Sequence, residues 1–207
     1  MGAHTGIMPQ PEVGPAGEGD VERLAEVLAR ALAQDPFNRH LVPHDARRAR
    51  RLREGFAEQL RRVFLPKGTV LTTADRAGAA LWIGPGAQRL SLGEQVRMLP
   101  GMARLVGVRH LGAVMRTLAE LDGRVPREPH WHLSLLGVSP ERQRTGIGSA
   151  LLRPILARCD REVRPAYLET ANPANLRLYE RHGFAVRERL DLRDGPRVWT
   201  MLRIPRR

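Results

Sequence analysis

Apolar positions recur every three or four residues in two early segments of the chain, and this spacing predicts amphipathic helices. The first segment covers residues 21–32, where Asp20 is suited to cap the start and Pro36 to stop the helix. The second runs from about residue 45 to residue 64, and its polar face carries the run "ARRARRLRE". The early part of the chain is therefore expected to be mainly helical.

A third segment with helical spacing covers residues 91–121. Pro100 and Gly101 interrupt it, so we expect two short helices that meet there. The spacing also predicts a helix that ends at about Arg158 and a short helix that stops at Gly183.

Short runs of alternating or continuous apolar residues predict strands, which are residues 69–73, 77–83, 131–138, 166–170, 185–192 and 197–204. The run "WHLSLLGV" (131–138) is nearly continuous in apolar character after its start, which is typical of a central strand. The last two strands flank a turn at residues 193–196 and predict a closing hairpin. The order of strands and helices indicates a mixed α/β protein.

The length of 207 residues fits a single domain. Residues 1–18 are rich in Gly and Pro and contain no apolar core, so we expect an unstructured leader and a cytoplasmic protein. The only cysteine, Cys159, excludes an intrachain disulfide and is interpreted as an ordinary packed residue. We find neither zinc-ligand spacing nor an apolar run long enough for a membrane span, so we expect no metal and no membrane partner.

The formal net charge is +12, and nearly all the positive residues are arginines, with lysine only at Lys67. Such a charge is compatible with nucleic acid or a polyphosphate ligand, and equally with an arginine-rich composition that has no functional meaning. The arginines in residues 46–54 alternate with a helical apolar face, which is typical of a solvated surface. No nucleic-acid motif accompanies them, so we do not expect a nucleic-acid partner.

The segment after the central strand has the chemistry of an anion site. It is "QRTGIGS", formed by Gln143, Arg144, Thr145, Gly146, Ile147, Gly148 and Ser149. A helix is predicted to begin here, and the first amides of a helix have no intrahelical acceptor. Glycine costs about 1 kcal/mol relative to alanine inside a helix, but it lets a bulky diphosphate approach the main chain. The P-loop pattern and the pattern GxGxxG are both absent, whereas Q/R-x-x-G-x-G/A matches.

Together with "GVSP", "LET" and "N…LYERHGF", this loop gives residues 131–204 a pattern that resembles the GNAT superfamily of acyl-CoA-dependent N-acyltransferases. The resemblance implies an α/β (α+β) fold with a mixed, splayed central sheet flanked by helices. Extra helices would be inserted between the N-terminal strands and the central strand. It also implies one domain over residues 19–207, with an acceptor side (19–128) and an acetyl-CoA-binding core (129–207).

Longer strings narrow the resemblance. "WHLSLLGVSPERQRTGIGSALL", "AYLETANPANLRLYERHGF" and "GPRVWTMLRIP" are similar to the puromycin N-acetyltransferases and their relatives. Two features depart from that group. The loop has Arg144–Thr145 where Gly–Lys is usual, and "EVGPAGEG" is a poor candidate for the strand expected before the first helix.

The resemblance implies acetyl-CoA as co-substrate and assigns binding residues. The pantetheine arm would contact the main chain near Leu136, Gly137 and Val138, with Gly137 permitting a close approach. The pyrophosphate would lie on the amides of residues 143–149. Asn175 is the preferred side-chain contact with coenzyme A, because Asn172 is explained sufficiently as a helix cap.

Catalytic roles follow from the same resemblance. Tyr179 occupies the position of a tyrosine that commonly protonates the departing thiolate, and its phenol is protonated at neutral pH. The general base stays open between two residues. His132 lies where many members of the superfamily have Glu, and Glu169 ends the strand "AYLET".

The function predicted from these features is transfer of an acetyl group to the primary amine of a small molecule, for example a puromycin-like antibiotic, by direct attack. Such a protein would confer antibiotic resistance and act as a monomer or homodimer. A peptide or protein N-acetyltransferase and a non-catalytic acyl-CoA-binding regulator are the alternatives. Nucleic-acid binding is supported by charge alone.

Overall fold

A computed structural model describes residues 11–43, 46–87 and 92–206 of the chain. Its centre is a seven-stranded sheet. The strands are β1 (Val13–Pro15), β2 (Gly68–Thr73), β3 (Gly78–Ile83), β4 (Trp131–Val138), β5 (Ala166–Thr170), β6 (Ala185–Asp191) and β7 (Arg197–Arg203). They lie side by side in the order β1-β2-β3-β4-β5-β7-β6. All neighbours are antiparallel except β4 and β5, which are parallel. The predicted mixed, splayed fold class is confirmed.

The first strand corrects the sequence interpretation. Val13 lies opposite Thr73 and Pro15 opposite Leu71, so β1 forms an edge of the sheet. Proline is tolerated on an edge strand, and three residues are too few to produce a periodic signal. The expectation of an unstructured leader up to residue 18 is therefore wrong for residues 13–15. Residues 1–10 lie outside the described part of the chain, and the predicted division into domains stays a prediction.

The helices are α1 (Val21–Leu32), α2 (Pro36–Leu41), α3 (Arg48–Gln59), α4 (Leu65–Lys67), α5 (Leu92–Val106), α6 (Val108–Asp122), α7 (Ile147–Arg161) and α8 (Leu176–Arg181). A π-helical turn, Leu60–Phe64, joins α3 to α4. The predicted start of the second helix at residue 45 is outside the described residues. In the described part of the chain, no helix has both the length and the apolar character that a membrane span needs.

Two helix boundaries differ from the prediction. Helix α5 continues through Pro100, and the break comes at Gly107, whose φ of 84° is readily adopted only by glycine. Proline removes one helical hydrogen bond without forcing the chain out of the helix, so the left-handed glycine is the stronger stop. Pro36 begins α2 rather than merely stopping α1, and Asp35 caps that helix by accepting a hydrogen bond from the amide of Phe37 at 2.9 Å.

The helices cover both faces of the sheet. On one face, α1 and α3 pack against β3 through residues such as Leu28, Leu52 and Leu81. On the other face, α7 and α8 pack against Leu168 and its neighbours. The arginines of α3 lie on its outer side, where Arg50 pairs with Glu54 at 2.8 Å. This confirms that the arginine-rich run is a solvated helix face.

Candidate active site

The central feature of the site is a gap between the parallel strands β4 and β5. They pair only over residues 131–133 and 166–168. Beyond that point β4 follows β3 as far as Val138, while β5 follows β7 as far as Thr170. The main chain of β4 therefore has no strand partner on its β5 side after Leu133.

A β-bulge lies where the strands separate. Trp82 is opposite Leu133 and Leu81 is opposite Leu135, which leaves Ser134 as the extra residue of β4. A bulge bends a strand and exchanges the faces of the residues that follow it. Before the bulge Leu133 packs on the α7 side, and after it Leu136 and Val138 do. The bulge thus helps to open the gap at the middle of the sheet.

The glycine loop lies at the C-terminal end of β4 and has the conformation that an anion site requires. Gly146 adopts φ 89° and ψ −7° and precedes the first residue of α7. The first hydrogen bond of the helix joins the amide of Ala150 to the carbonyl of Gly146 at 2.9 Å. The amides of residues 147–149 therefore precede the helical ladder and are available to an anion.

Space in front of the loop is open. A Cβ atom added at Gly146 meets no atom within 4 Å, and one added at Gly148 meets only the Leu178 side chain at 3.6 Å. The glycines consequently serve something other than internal packing at these two positions. Gly146 is explained by its positive φ, whereas Gly148 has no such backbone requirement. That the open space at the two glycines takes the diphosphate of coenzyme A stays a prediction.

This geometry predicts opposite effects on stability and binding for Gly148→Ala. The free protein accommodates the new methyl group, and the better helix propensity of alanine should raise the free energy of unfolding by up to about 1 kcal/mol. The same methyl group occupies space that the diphosphate needs, so we expect the Kd of acetyl-CoA to rise about tenfold or more. Thermal unfolding and calorimetric titration measure the two quantities, and unchanged affinity would contradict the assignment of the loop.

Side chains around the loop brace it. Gln143 donates from Nε2 to the carbonyl of Val138 at 3.2 Å, and Thr145 donates from Oγ1 to the carbonyl of Arg142 at 2.6 Å. Arg142 pairs with Asp75 at 2.8 Å, which offsets part of its charge. Ser149 is predicted to contact phosphate through its hydroxyl; its Oγ lies 2.9 Å from Nε2 of His182.

Gly137 packs closely against α1. A Cβ atom there would lie 2.8 Å from Cδ2 of Leu28 and 3.3 Å from Cβ of Ala31, both on α1. The close approach that this glycine permits is the packing of α1 onto β4. The absence of a side chain at Gly137 is thereby explained by packing, and the contact of its main chain with the pantetheine arm stays a prediction.

The two candidate bases form a pair. Nε2 of His132 lies 2.8 Å from Oε2 of Glu169, and the two side chains are only 19% and 18% exposed. Both side chains lie on the sheet face opposite α7, next to the point where β4 and β5 separate. An ionised carboxylate can only accept, so Nε2 carries the hydrogen and the lone pair of the neutral ring is on Nδ1. The two candidates from the sequence are therefore hydrogen-bonded to each other.

Two aromatic residues beside this pair were missed in the sequence. The ring of Tyr167 lies 5.3 Å from that of His132 and 5.6 Å from that of His130. The hydroxyl of Tyr167 is buried without a hydrogen-bond partner among the described residues. Burial raises the pKa of this phenol, and the negative charge of Glu169 raises it further. The sequence held one signal for them. Residues two apart in a strand lie on the same face of the sheet, as do residues 130 and 132, and residues 167 and 169.

Tyr179 lies on the other face of the sheet. It lies in the apolar cluster of α7 and β5, and its ring is 6.0 Å from the ring of Phe184. Its hydroxyl makes no hydrogen bond to a described residue. Burial raises the pKa of Tyr179, and the charge of Asp35 adds to this effect. The phenol is therefore protonated at any working pH, as a proton donor must be.

The two asparagines of this region differ as expected. Asn172 caps the 3₁₀ turn Pro173–Asn175 by accepting a hydrogen bond from the amide of Ala174 at 3.0 Å. Its structural role is confirmed. Asn175 makes no capping hydrogen bond at the start of α8, so its amide is available to a ligand.

Other candidate chemistry is absent from the described residues. Cys159 is buried, and burial raises the pKa of its thiol to about 12, so it is not a nucleophile at neutral pH. Within the described ranges, no group of three or more His, Cys, Asp or Glu side chains is placed to hold a metal ion.

Comparisons with known proteins agree with this geometry. Residues 99–184 match the model of the acetyltransferase (GNAT) family. An uncharacterized N-acetyltransferase of Schizosaccharomyces pombe is 28% identical over 190 residues, which cover 86% of this chain and 76% of the relative.

Solved structures extend the match to nearly the whole chain. A crystal structure described as histone acetyltransferase HPA2 and related acetyltransferase from Corynebacterium glutamicum is 25% identical, with a TM-score of 0.73 over 96% of this chain and 98% of that one. Arylalkylamine N-acetyltransferase 2 from Aedes aegypti shares the fold, with 12% identity and a TM-score of 0.65 over 94% of this chain and 99% of that one. The splayed strands and the glycine loop coincide with the match of residues 99–184 to the acetyltransferase (GNAT) family, and the protein is an acyl-CoA-dependent acetyltransferase.

Proposed function

We propose that the protein transfers an acetyl group from acetyl-CoA to a primary amine of a small molecule by direct attack, without an acyl-enzyme. The observation that supports this proposal is the gap between β4 and β5, which has a histidine–glutamate pair on one face of the sheet and a buried tyrosine on the other. His132 and Glu169 approach from one face, and Tyr179 from the opposite face.

The donor would lie along the open edge of β4. Its diphosphate fits the amides of residues 147–149, and its pantetheine amides can bond to the main chain of residues 136–138, which has no strand partner on that side. The free amide of Asn175 is a further contact. Acetyl-CoA supplies the activated acetyl group, and all other chemistry falls to the side chains.

The His132–Glu169 pair would take the proton of the acceptor amine. Glu169 accepts from Nε2 of His132, which fixes the ring and leaves the lone pair of Nδ1 for the proton of the amine. A weak base is sufficient when the acceptor is an α-amine of pKa about 8, because its deprotonation costs only about 1 kcal/mol at pH 7. A lysine amine of pKa about 10.4 costs about 4.6 kcal/mol. A half-buried imidazole therefore suits an α-amine, as in puromycin-like antibiotics.

Tyr179 would complete the reaction as general acid. The amine nitrogen forms a bond to the carbonyl carbon, the carbon–sulfur bond breaks, and the phenol gives its proton to the departing sulfur. The thiolate has a parent pKa of about 8.5, below that of the phenol, so the transfer depends on close contact between the phenol and the sulfur while the carbon–sulfur bond breaks. The proton that the base removed from the amine passes to solvent, and the phenol is reprotonated.

Replacement of Glu169 by glutamine tests the base. We expect kcat at pH 7 to fall about tenfold, because the amide no longer supports a positive charge on His132. The loss should shrink as the pH rises toward 9, since more of the acceptor is then already neutral. His132→Ala should lose about as much, and the double variant no more than the worse single variant. Additive losses would contradict a shared proton site.

Thiol release from acetyl-CoA tests the proposed function itself. The purified protein is assayed with puromycin, aminoglycosides, polyamines and amino-acid amides, and we expect amine-dependent release with an α-amine. Release with puromycin would support a role in antibiotic resistance, in the cytoplasm where acetyl-CoA is found. Acetylation confined to proteins, seen by intact-mass spectrometry, would favour a protein acceptor. Donor binding with no release would favour a regulator.

A further inference from the structure

A half-buried carboxylate near the gap has no role in the mechanism above. Asp35 lies between α1 and α2, where its Oδ1 accepts a hydrogen bond from the amide of Phe37 at 2.9 Å. No cationic side chain among the described residues lies within ion-pair distance of it. Burial raises the pKa of this carboxyl, although the amides of Phe37 and Asn38 lower it.

Asp35 is unusual in a chain of net charge +12. Most of the other half-buried carboxylates contact a cation, including Asp20 with Arg76 at 2.8 Å and Glu58 with Arg62 at 3.4 Å. Among the described carboxyls whose pKa departs from its ordinary value, Asp35 alone has the pKa raised. A buried carboxylate without a neighbouring positive charge costs free energy, and a cationic ligand would offset that cost.

Asp35 lies close to the end of β5 and to Tyr179. Phe37, two residues later, packs against the cluster that contains Ala171, which follows the last residue of β5. The charge of Asp35 also reaches the phenol of Tyr179 and raises its pKa. The carboxylate thus lies beside the group that we place next to the departing sulfur.

We propose that Asp35 binds the positively charged amine of the acceptor and so selects cationic amines that carry no carboxylate beside the nitrogen. This rests on the proposed function, whose acceptor class it narrows. The ammonium group is held by Asp35, and the His132–Glu169 pair then removes one of its protons before attack. An acceptor with an adjacent carboxylate meets like charge from both Asp35 and Glu169, so free amino acids are rejected while amino-acid amides are accepted.

The test compares the wild type with Asp35→Asn. Asparagine caps a helix as well as aspartate does, so α2 is retained while the charge is lost. Asp191→Asn is the matched control, because Asp191 is an exposed carboxylate on β6 that pairs with Arg197. Phenylalaninamide and phenylalanine are the probes, since they differ in the carboxylate alone. Steady-state thiol release gives KM, and calorimetric titration into the protein saturated with coenzyme A gives Kd without turnover.

We expect Asp35→Asn to raise the KM and Kd of phenylalaninamide about 10- to 100-fold, the range for loss of a charged hydrogen bond. The Kd of coenzyme A and both values for Asp191→Asn should stay unchanged, and the preference for the amide over the free amino acid should shrink. If amine binding and thiol release in Asp35→Asn match the wild type, the proposal for Asp35 is wrong and the transferase function stands.

If the wild type binds phenylalaninamide but releases no thiol, the proposed transferase function is wrong. The proposal for Asp35 is then decided by the Kd of phenylalaninamide for the wild type and for Asp35→Asn. No binding of either probe to the wild-type coenzyme A complex overturns the proposal for Asp35.

Discussion

Replacing Tyr179 with phenylalanine should lower kcat for acetyl transfer about 10²- to 10⁴-fold, the range that general acid catalysis contributes. The substitution removes one hydroxyl that has no hydrogen-bond partner among the described residues, and it keeps the ring in contact with Phe184. Stability should consequently change little. The Kd of acetyl-CoA should also be retained, because the diphosphate site is formed by other residues.

The only other tyrosine of the chain, Tyr167, provides the matched control. Its hydroxyl is buried without a partner in the described structure, on the opposite face of the sheet from Tyr179. Tyr167→Phe should lose less than about tenfold in kcat, since this group does not face the departing sulfur. Equal losses in the two variants, or undiminished turnover in Tyr179→Phe, would remove the assignment of the acid.

The raised pKa of Tyr179 adds a pH criterion. Because burial and Asp35 both favour the neutral phenol, this donor stays protonated well above its ordinary value near 10. Below about pH 10, loss of the Tyr179 proton should therefore not lower the wild-type rate. Any alkaline decline of the rate in this range should persist in Tyr179→Phe.

The strands of the core were predictable because their signals are local. The range 131–138 was correct at both ends, and 166–170 as well, since each is bounded by turn residues and filled with apolar ones. What escaped prediction depends on contacts between distant segments. β1 exists through its pairing with β2, and the need for glycine at position 137 comes from Leu28 on α1.

In the candidate site, too, local features were predictable and contacts between distant segments were not. The glycine loop and Tyr179 stand in contiguous motifs and were found in the sequence. The pairing of His132 with Glu169 depends on the parallel register that sets His132 opposite Tyr167, and sequence spacing does not determine that register. The sequence around Asp35 indicates only a helix cap. That no cationic side chain lies beside its carboxylate becomes visible only in the folded chain.

The largest stability effect is expected at an ion pair that fastens the end of the sheet to the helices. Arg203 on β7 is almost completely buried and donates two hydrogen bonds to Asp160 of α7, both at 2.8 Å. Its Nε also donates to the carbonyl of His182 at 2.9 Å. The guanidinium thus connects β7, α7 and the end of α8, and its charge is compensated by Asp160.

Asp160→Ala should lower the free energy of unfolding by about 3 kcal/mol, because it leaves the Arg203 charge buried without its partner. Alanine is a better helix former than aspartate, so the loss cannot come from helix propensity. Asp191→Ala, which breaks an exposed pair, should lower the free energy of unfolding far less. Urea unfolding of the three proteins measures these differences.

The ion pair of Arg203 and Asp160 also determines how the stability lost in Asp160→Ala depends on pH. Hydrogen bonds from Arg203 hold the pKa of Asp160 below its ordinary value. The contribution of a carboxyl with a lowered pKa is complete above the unfolded pKa of about 3.9 and disappears as the pH falls through the folded pKa. The difference between wild type and Asp160→Ala should therefore be constant from pH 7 to about pH 5 and shrink in stronger acid. A difference that stayed constant into strong acid would instead indicate that the methylene and backbone contacts of Asp160, rather than its charge, stabilise this corner of the fold.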